Sequence, residues 1–149
     1  MILYRFAKDI YSHDISGAGS KKWGGRWNSP GLPVVYASCT ISLSLLELLV
    51  YQSSFEEIKV NRLMQIKVPD LSIQLLSASS LKAKWQSDID YCRFIGNEFL
   101  LHKKILLLKV PSAIIPEEFN VMINPAHPAF NKVSIISAKI FDFDGRLFK

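Results

Sequence analysis

The chain has 149 residues and a net charge of +5, with 18 Lys+Arg against 13 Asp+Glu, 49% hydrophobic and 21% charged residues. That size and balance predict one folded domain over residues 1–149 with a core of its own, and exclude a disordered chain. Two cysteines are too few for a disulfide framework, and no apolar run approaches the roughly 20 residues of a membrane helix, so a reduced, cytoplasmic protein without a secretory leader is expected.

In chain order, Ile2–Phe6 predicts a short strand. Residues 12–33 are rich in Gly, Ser, Pro and Asn and predict a long polar loop or a glycine-hinged hairpin. A loop of that length in a compact chain is usually functional. Val34–Ala37 predicts a short buried strand. Thr40 then caps a helix from Ile41 to about Gln52, so apolar that burial on all sides is expected. Val60–Val68 has the alternation of a strand and stops at Pro69-Asp70. A second helix is predicted over Ile89–His102, with Ser87 or Asp88 at its cap. Lys104–Val110 predicts a buried strand closed by Pro111. Residues 111–130, punctuated by Pro116, Pro125 and Pro128, predict a second long loop. Val133–Ser137 and Lys139–Phe143 predict two closing strands. Strands outnumber helices and do not alternate regularly with them, which is the pattern of an α+β fold.

Three residues in the segment from Gly24 to Glu47 invite a chemical reading. Glu47 sits between pairs of leucines in ISLSLLELLVY, where a lone buried carboxylate costs several kcal/mol unless it is paired or faces a cavity. Either it lies on a narrow exposed stripe with Ser44, or it stands at the wall of a pocket where it can stabilise developing positive charge. Arg26 follows two glycines between Trp23 and Trp27. It is either a turn residue stacked on its neighbours or an arginine held for bidentate phosphate recognition. Tyr36 ends the apolar run Pro33-Val-Val-Tyr36, as a core tyrosine or as a ring with its hydroxyl in a polar site. Other chemistries lack their signatures. The three histidines, His13, His102 and His127, have no metal-ligand spacing with each other or the cysteines, so no metal is expected. The Rossmann and P-loop fingerprints are missing. Ser112 lacks the G-x-S-x-G elbow of a serine hydrolase.

Taken together, the blocks Tyr4-Arg5, Gly24-Gly-Arg-Trp-Asn-Ser-Pro-Gly31, Val34-Val-Tyr-Ala-Ser38, Leu45-Leu-Glu-Leu-Leu-Val50, Val110-Pro-Ser-Ala-Ile-Ile-Pro116, Asn124-Pro-Ala-His-Pro128 and Phe143-Asp-Gly-Arg-Leu147 resemble the RES-domain family, the toxin half of bacterial RES–Xre toxin–antitoxin pairs. Their order and spacing are more specific than any one block. The Arg, Glu and Ser of the family's name fall on Arg26, Glu47 and Ser112. The resemblance implies an ADP-ribosyltransferase-like mixed sheet split around an NAD cleft and flanked by a few helices. It implies loss of cellular NAD by hydrolysis or phosphorolysis of the nicotinamide–ribose bond. Arg5 and Arg26 would hold the phosphates or the nicotinamide ribose, Tyr36 would stack on the nicotinamide, Glu47 would stabilise the ribosyl cation, and Ser112 would complete the pocket. It also implies an Xre-like antitoxin as partner, with DNA contacted only through that antitoxin.

Two other activities share parts of this pattern. A protein ADP-ribosyltransferase would use the same NAD site. A nucleic-acid-binding or ribonuclease-type toxin would use the positive charge and the aromatics, but leaves Glu47 without a purpose.

Overall fold

The computed structural model describes residues 1–149. Seven strands form one sheet: β1 Ile2–Lys8, β2 Val35–Ser38, β3 Asn61–Lys67, β4 Ile73–Leu75, β5 Leu107–Pro111, β6 Phe119–Ile123 and β7 Ser134–Ile140. Their spatial order is β4-β5-β6-β2-β1-β3-β7. All neighbours are antiparallel except β4 and β5. The helices are α1 Ala18–Trp23, α2 Ile41–Leu49, α3 Phe55–Ile58 and α4 Ile89–His102, and none is long and apolar enough to cross a membrane. The α+β class expected from the sequence therefore holds.

The sheet divides at its middle. β1 pairs with β3 along its whole length, from Ile2↔Lys67 to Lys8↔Asn61, but meets β2 only at Tyr4↔Ser38. Beyond that point β1 and β2 diverge, and Arg5 reaches across the opening to donate from Nη1 to the Tyr36 carbonyl at 2.8 Å. A buried carbonyl left by diverging strands needs such a partner.

Three apolar clusters brace the halves. Leu3, Met64, Ile66, Leu107, Val121 and Ile123 pack on one face. Trp27, Trp85, Cys92, Phe99, Leu108 and Met122 join α4 to the β5–β6 side of the sheet. Phe6, Ile58, Leu63 and Phe143 bind the other half to the leucines of α2. The α4 residues Cys92, Gly96, Phe99 and Leu100 are buried at the spacing of a single helix face. Asp88 accepts from the Tyr91 N–H and caps that helix, and Thr40 accepts from the Leu43 N–H at the start of α2.

The structure departs from the sequence reading in five places. The polar stretch 12–33 contains α1. The proline-punctuated stretch 111–130 contains β6, which lies between β5 and β2 in the interior of the sheet. Val121, Met122 and Ile123 are all fully buried, so β6 carries no alternation to betray it. The two predicted closing strands are one, β7. The short elements α3 and β4 were not expected. Finally, α2 is shorter than predicted and not enclosed: only Leu43 and Ser44 are buried in it, because the sheet covers one side and a cleft opens on another.

Candidate active site

A cleft of about 490 Å³ opens where β1 and β2 part. β1 supplies Tyr4, Arg5 and Phe6 to its wall, and β2 supplies Tyr36, Ala37 and Ser38. The turn after α1 contributes Gly24, Gly25 and Arg26, and α2 contributes Ser44, Glu47 and Leu48, with Tyr51 just beyond its end. The α2 residues follow i, i+3, i+4, i+7, the repeat that places side chains on one helix face. The stripe that Glu47 shares with Ser44 is therefore the one that faces the cleft; Ser44 is buried, so it is not the exposed surface stripe that one sequence reading allowed.

Glu47 is held through one oxygen. Its Oε1 accepts from the Ser112 hydroxyl at 2.8 Å and from Asn120 Nδ2 at 2.6 Å. Both donors bond to a charged acceptor, the stronger class of hydrogen bond. The other oxygen, Oε2, takes no hydrogen bond from the protein. Ser112 itself has no exposed surface and does not line the cleft. Its hydroxyl oxygen accepts from the Ile114 and Ile115 N–H groups at 3.1 Å each while its proton goes to Glu47. Ser112 thus reaches the cleft only through the carboxylate in front of it.

Arg26 lies at the end of a turn fixed from several sides. Arg93 Nε donates to the Gly25 carbonyl at 2.9 Å, and Asn97 holds Ser29 through both its backbone N–H and its hydroxyl. Asn28 donates to the carbonyls of Ser20 and Leu32. A Cβ on Gly25 would come within 2.9 Å of the Tyr36 ring, so only glycine lets the turn lie against it. The Arg26 guanidinium donates to the Gln86 carbonyl at 2.8 Å and stands 6.0 Å from the Trp85 ring. The aromatic partner is thus neither tryptophan flanking Arg26 in sequence. Trp27 is buried and packs on Trp85 at 5.7 Å, while Trp23 is 73% exposed at the cleft wall.

The Tyr36 hydroxyl donates to Asn28 Oδ1 at 2.6 Å and accepts from the Trp27 N–H at 3.1 Å. Desolvation pushes it above the usual tyrosine range, against smaller opposing effects of the Trp27 hydrogen bond and of Arg93. Its polar end is therefore committed to the turn, and its ring forms part of the cleft wall. Burial also lowers Arg5 from the usual arginine range, with Asp14 opposing. A guanidinium keeps its charge through such a shift.

Of the five residues singled out by sequence, Arg5, Arg26, Tyr36 and Glu47 line one cleft and Ser112 stands directly behind Glu47. The sequence reading missed Asn120, which lies in a predicted loop, and Trp85, which carries no motif. No local pattern marks either one.

Known proteins resemble this chain in sequence and in fold. The sequence matches the RES domain over residues 2–144. It is 36% identical to a protein called Toxin Res from Photorhabdus laumondii, over 100% of this chain and 98% of the relative. It is 37% identical to a Toxin Res of Pseudomonas putida, over 99% of this chain and 100% of that one. A protein of Sphingobium named Prs ADP-ribosylating toxin is 33% identical, over 98% and 96% of the two chains. In fold, the chain is similar to one in the crystal structure of the M. tuberculosis MbcT–MbcA toxin–antitoxin complex, with a TM-score of 0.74 at 18% identity, over 99% of this chain and 86% of that one. With full-length relatives 33% to 37% identical and a domain match spanning residues 2–144, the chain belongs to the RES-domain family, the family of the Res toxins.

Proposed function

We propose that the chain acts as one RES-type domain that cleaves the nicotinamide–ribose bond of NAD and so serves as the toxin of a toxin–antitoxin pair. The observation that carries this reading is Glu47: a carboxylate on the cleft wall, fixed through Oε1, with Oε2 unclaimed, and two arginines on the same walls.

The chemistry asks for little else. The C1–N bond breaks with its electron pair going to the pyridinium nitrogen, which becomes neutral, so nicotinamide leaves without an acid to protonate it. Positive charge then develops on the ribose C1 and ring oxygen, as in glycoside cleavage generally. Glu47 faces that charge and accepts from the ribose hydroxyls. Arg5 and Arg26 counter the pyrophosphate, and Tyr36 offers its ring to the nicotinamide. Water or phosphate adds to C1 and releases its proton. Ser112 keeps the carboxylate aimed and touches no substrate atom.

Purified protein incubated with NAD should yield nicotinamide together with ADP-ribose, or with ADP-ribose-1″-phosphate when phosphate is supplied. Mass analysis separates the two. Glu47→Ala should lower turnover by at least about 100-fold, and Glu47→Gln nearly as far, because the charge does the stabilising. Undiminished NAD loss in Glu47→Ala would end this assignment. The name of the Sphingobium relative favours a second reading, in which a protein side chain accepts the ADP-ribose. Labelled NAD decides between them, since the label would then stay on a protein band.

A cell carrying such an activity needs an inhibitor. The likeness to a chain from a toxin–antitoxin complex supports an antitoxin partner. We take it to be an Xre-like protein that acts inside the cell and holds any contact with DNA. The net charge of +5 suits an acidic inhibitory segment.

A further inference from the structure

A glutamate on a helix face has free side-chain torsions, and one hydrogen bond leaves its carboxylate able to pivot. Ser112, at the end of β5, supplies one bond to Oε1, and β6 supplies the other. Asn120 sits opposite Ser38 in the β2–β6 register, and Ser38 is the residue at which β2 still meets β1. The buried Ser38 hydroxyl donates to Asn120 Oδ1 at 2.6 Å, and Asn120 Nδ2 donates to Glu47 Oε1, also at 2.6 Å. An ionised carboxylate only accepts, so the amide must turn its NH₂ toward Glu47, and Ser38 secures that orientation from behind. Two donors on one oxygen, one from β6 and one from the residue that follows β5, hold that oxygen from two directions and restrict the pivot of the carboxylate. We propose that Asn120, oriented by Ser38, is a positioning residue that holds Glu47 for cleavage and keeps Oε2 available to the ribose. This rests on the NAD-cleavage reading above.

The test is steady-state kinetics with NAD on Asn120→Ala, Asn120→Asp, Ser38→Ala and the Ser38→Ala/Asn120→Ala double variant, each first shown by thermal melting to be folded. Misplacing a catalytic group by an ångström lowers rates about 100-fold, so Asn120→Ala should lose about that factor in kcat while KM for NAD stays within about threefold. Asn120→Asp keeps the shape but sets carboxylate against carboxylate, and should fall at least as far. Ser38→Ala should lose less. Because Ser38 acts through Asn120, the double variant should be no slower than Asn120→Ala alone. Parental kcat in both Asn120 variants, or losses at the two positions that simply multiply, would overturn the proposal. A second measurement needs no turnover: the Asn120 side-chain amide resonance, followed by ¹⁵N NMR, should move on Glu47→Ala. If it stays in place, the positioning role fails. If it moves while the parent protein leaves NAD intact, the NAD reading fails instead.

Discussion

Tyr36 shows how one side chain serves the turn and the cleft together. Its hydroxyl satisfies the Trp27 N–H and Asn28 Oδ1, which locks the turn that carries Arg26. The ring, stripped of its polar duty, is left to the cleft wall. Tyr36→Phe strands the Trp27 N–H and should cost about 1–3 kcal/mol at neutral pH. The pH dependence follows from the raised pKa. The folded protein holds the Tyr36 proton where the unfolded chain, with an ordinary tyrosine near pH 10, has released it. Above that pH the unfolded state binds fewer protons, so the contribution of Tyr36 is complete below about pH 10 and falls as pH rises. Thermal melts of parent and Tyr36→Phe should therefore keep the same separation up to about pH 10 and converge only as pH rises above it. A gap that stays constant would show that the hydroxyl is not held protonated by the fold. At this scale the sequence speaks unevenly. Glu47 announces itself, because a carboxylate among leucines is costly unless it has a purpose. Asn120 is silent, because its partner is 73 positions away and only the sheet brings them together.

Among the elements, α4 does more for the site than its distance from the chemistry suggests. It supplies Arg93 and Asn97 to the turn, and it approaches the turn so closely at Gly96 that a Cβ there would lie 1.7 Å from the Trp27 carbonyl oxygen. Alanine is the better helix former by about 1 kcal/mol, but overpacking against rigid backbone costs about 1–3 kcal/mol or more, and here the obstacle is a carbonyl that cannot rotate aside. Gly96→Ala should thus lose roughly 2 kcal/mol net, a drop of about 4–8 °C in Tm for a chain of this size. NAD turnover should fall further than the lost stability explains, because the turn carries Arg26. Gly145→Ala is the control: nothing lies within 4 Å of a Cβ there, and Tm should barely move. The helix α4 was legible from its apolar periodicity and the aspartate at its cap, and β1, β2, β3 and β5 from their apolar or alternating runs. The strand β6 was not, since prolines flank it and both its faces are buried. The helix α1 was hidden by the glycines and polar residues that suit it to a cleft wall.

At the scale of the whole molecule, the split of the sheet opens the cleft, and on the proposed NAD reading it sets where the dinucleotide would go. Which strands pair is a matter of contacts distant in sequence. The single bridge Tyr4↔Ser38 and the cleft beside it could be expected only through resemblance to a family, and not from the local pattern of either strand. The charge, by contrast, is plain in the composition at +5. The cleft repeats that sign with Arg5 and Arg26 against Glu47 among its lining residues. A dinucleotide whose pyrophosphate outweighs its pyridinium charge is attracted to such a surface before it touches it, and low-dielectric walls strengthen the field. Salt screens this attraction: the Debye length falls from roughly 30 Å at 0.01 M to about 3 Å at 1 M ionic strength. On the same reading, the reacting bond would be enclosed beside Glu47, close to its partners and screened far less. Raising ionic strength across that range should therefore increase KM for NAD several-fold and leave kcat within about twofold. Replacing Arg26 by glutamine should raise KM at low salt and flatten its salt dependence, since part of the screened attraction is then already gone. If kcat fell with salt while KM held steady, the arginines would be acting on the transition state and not on capture of the dinucleotide.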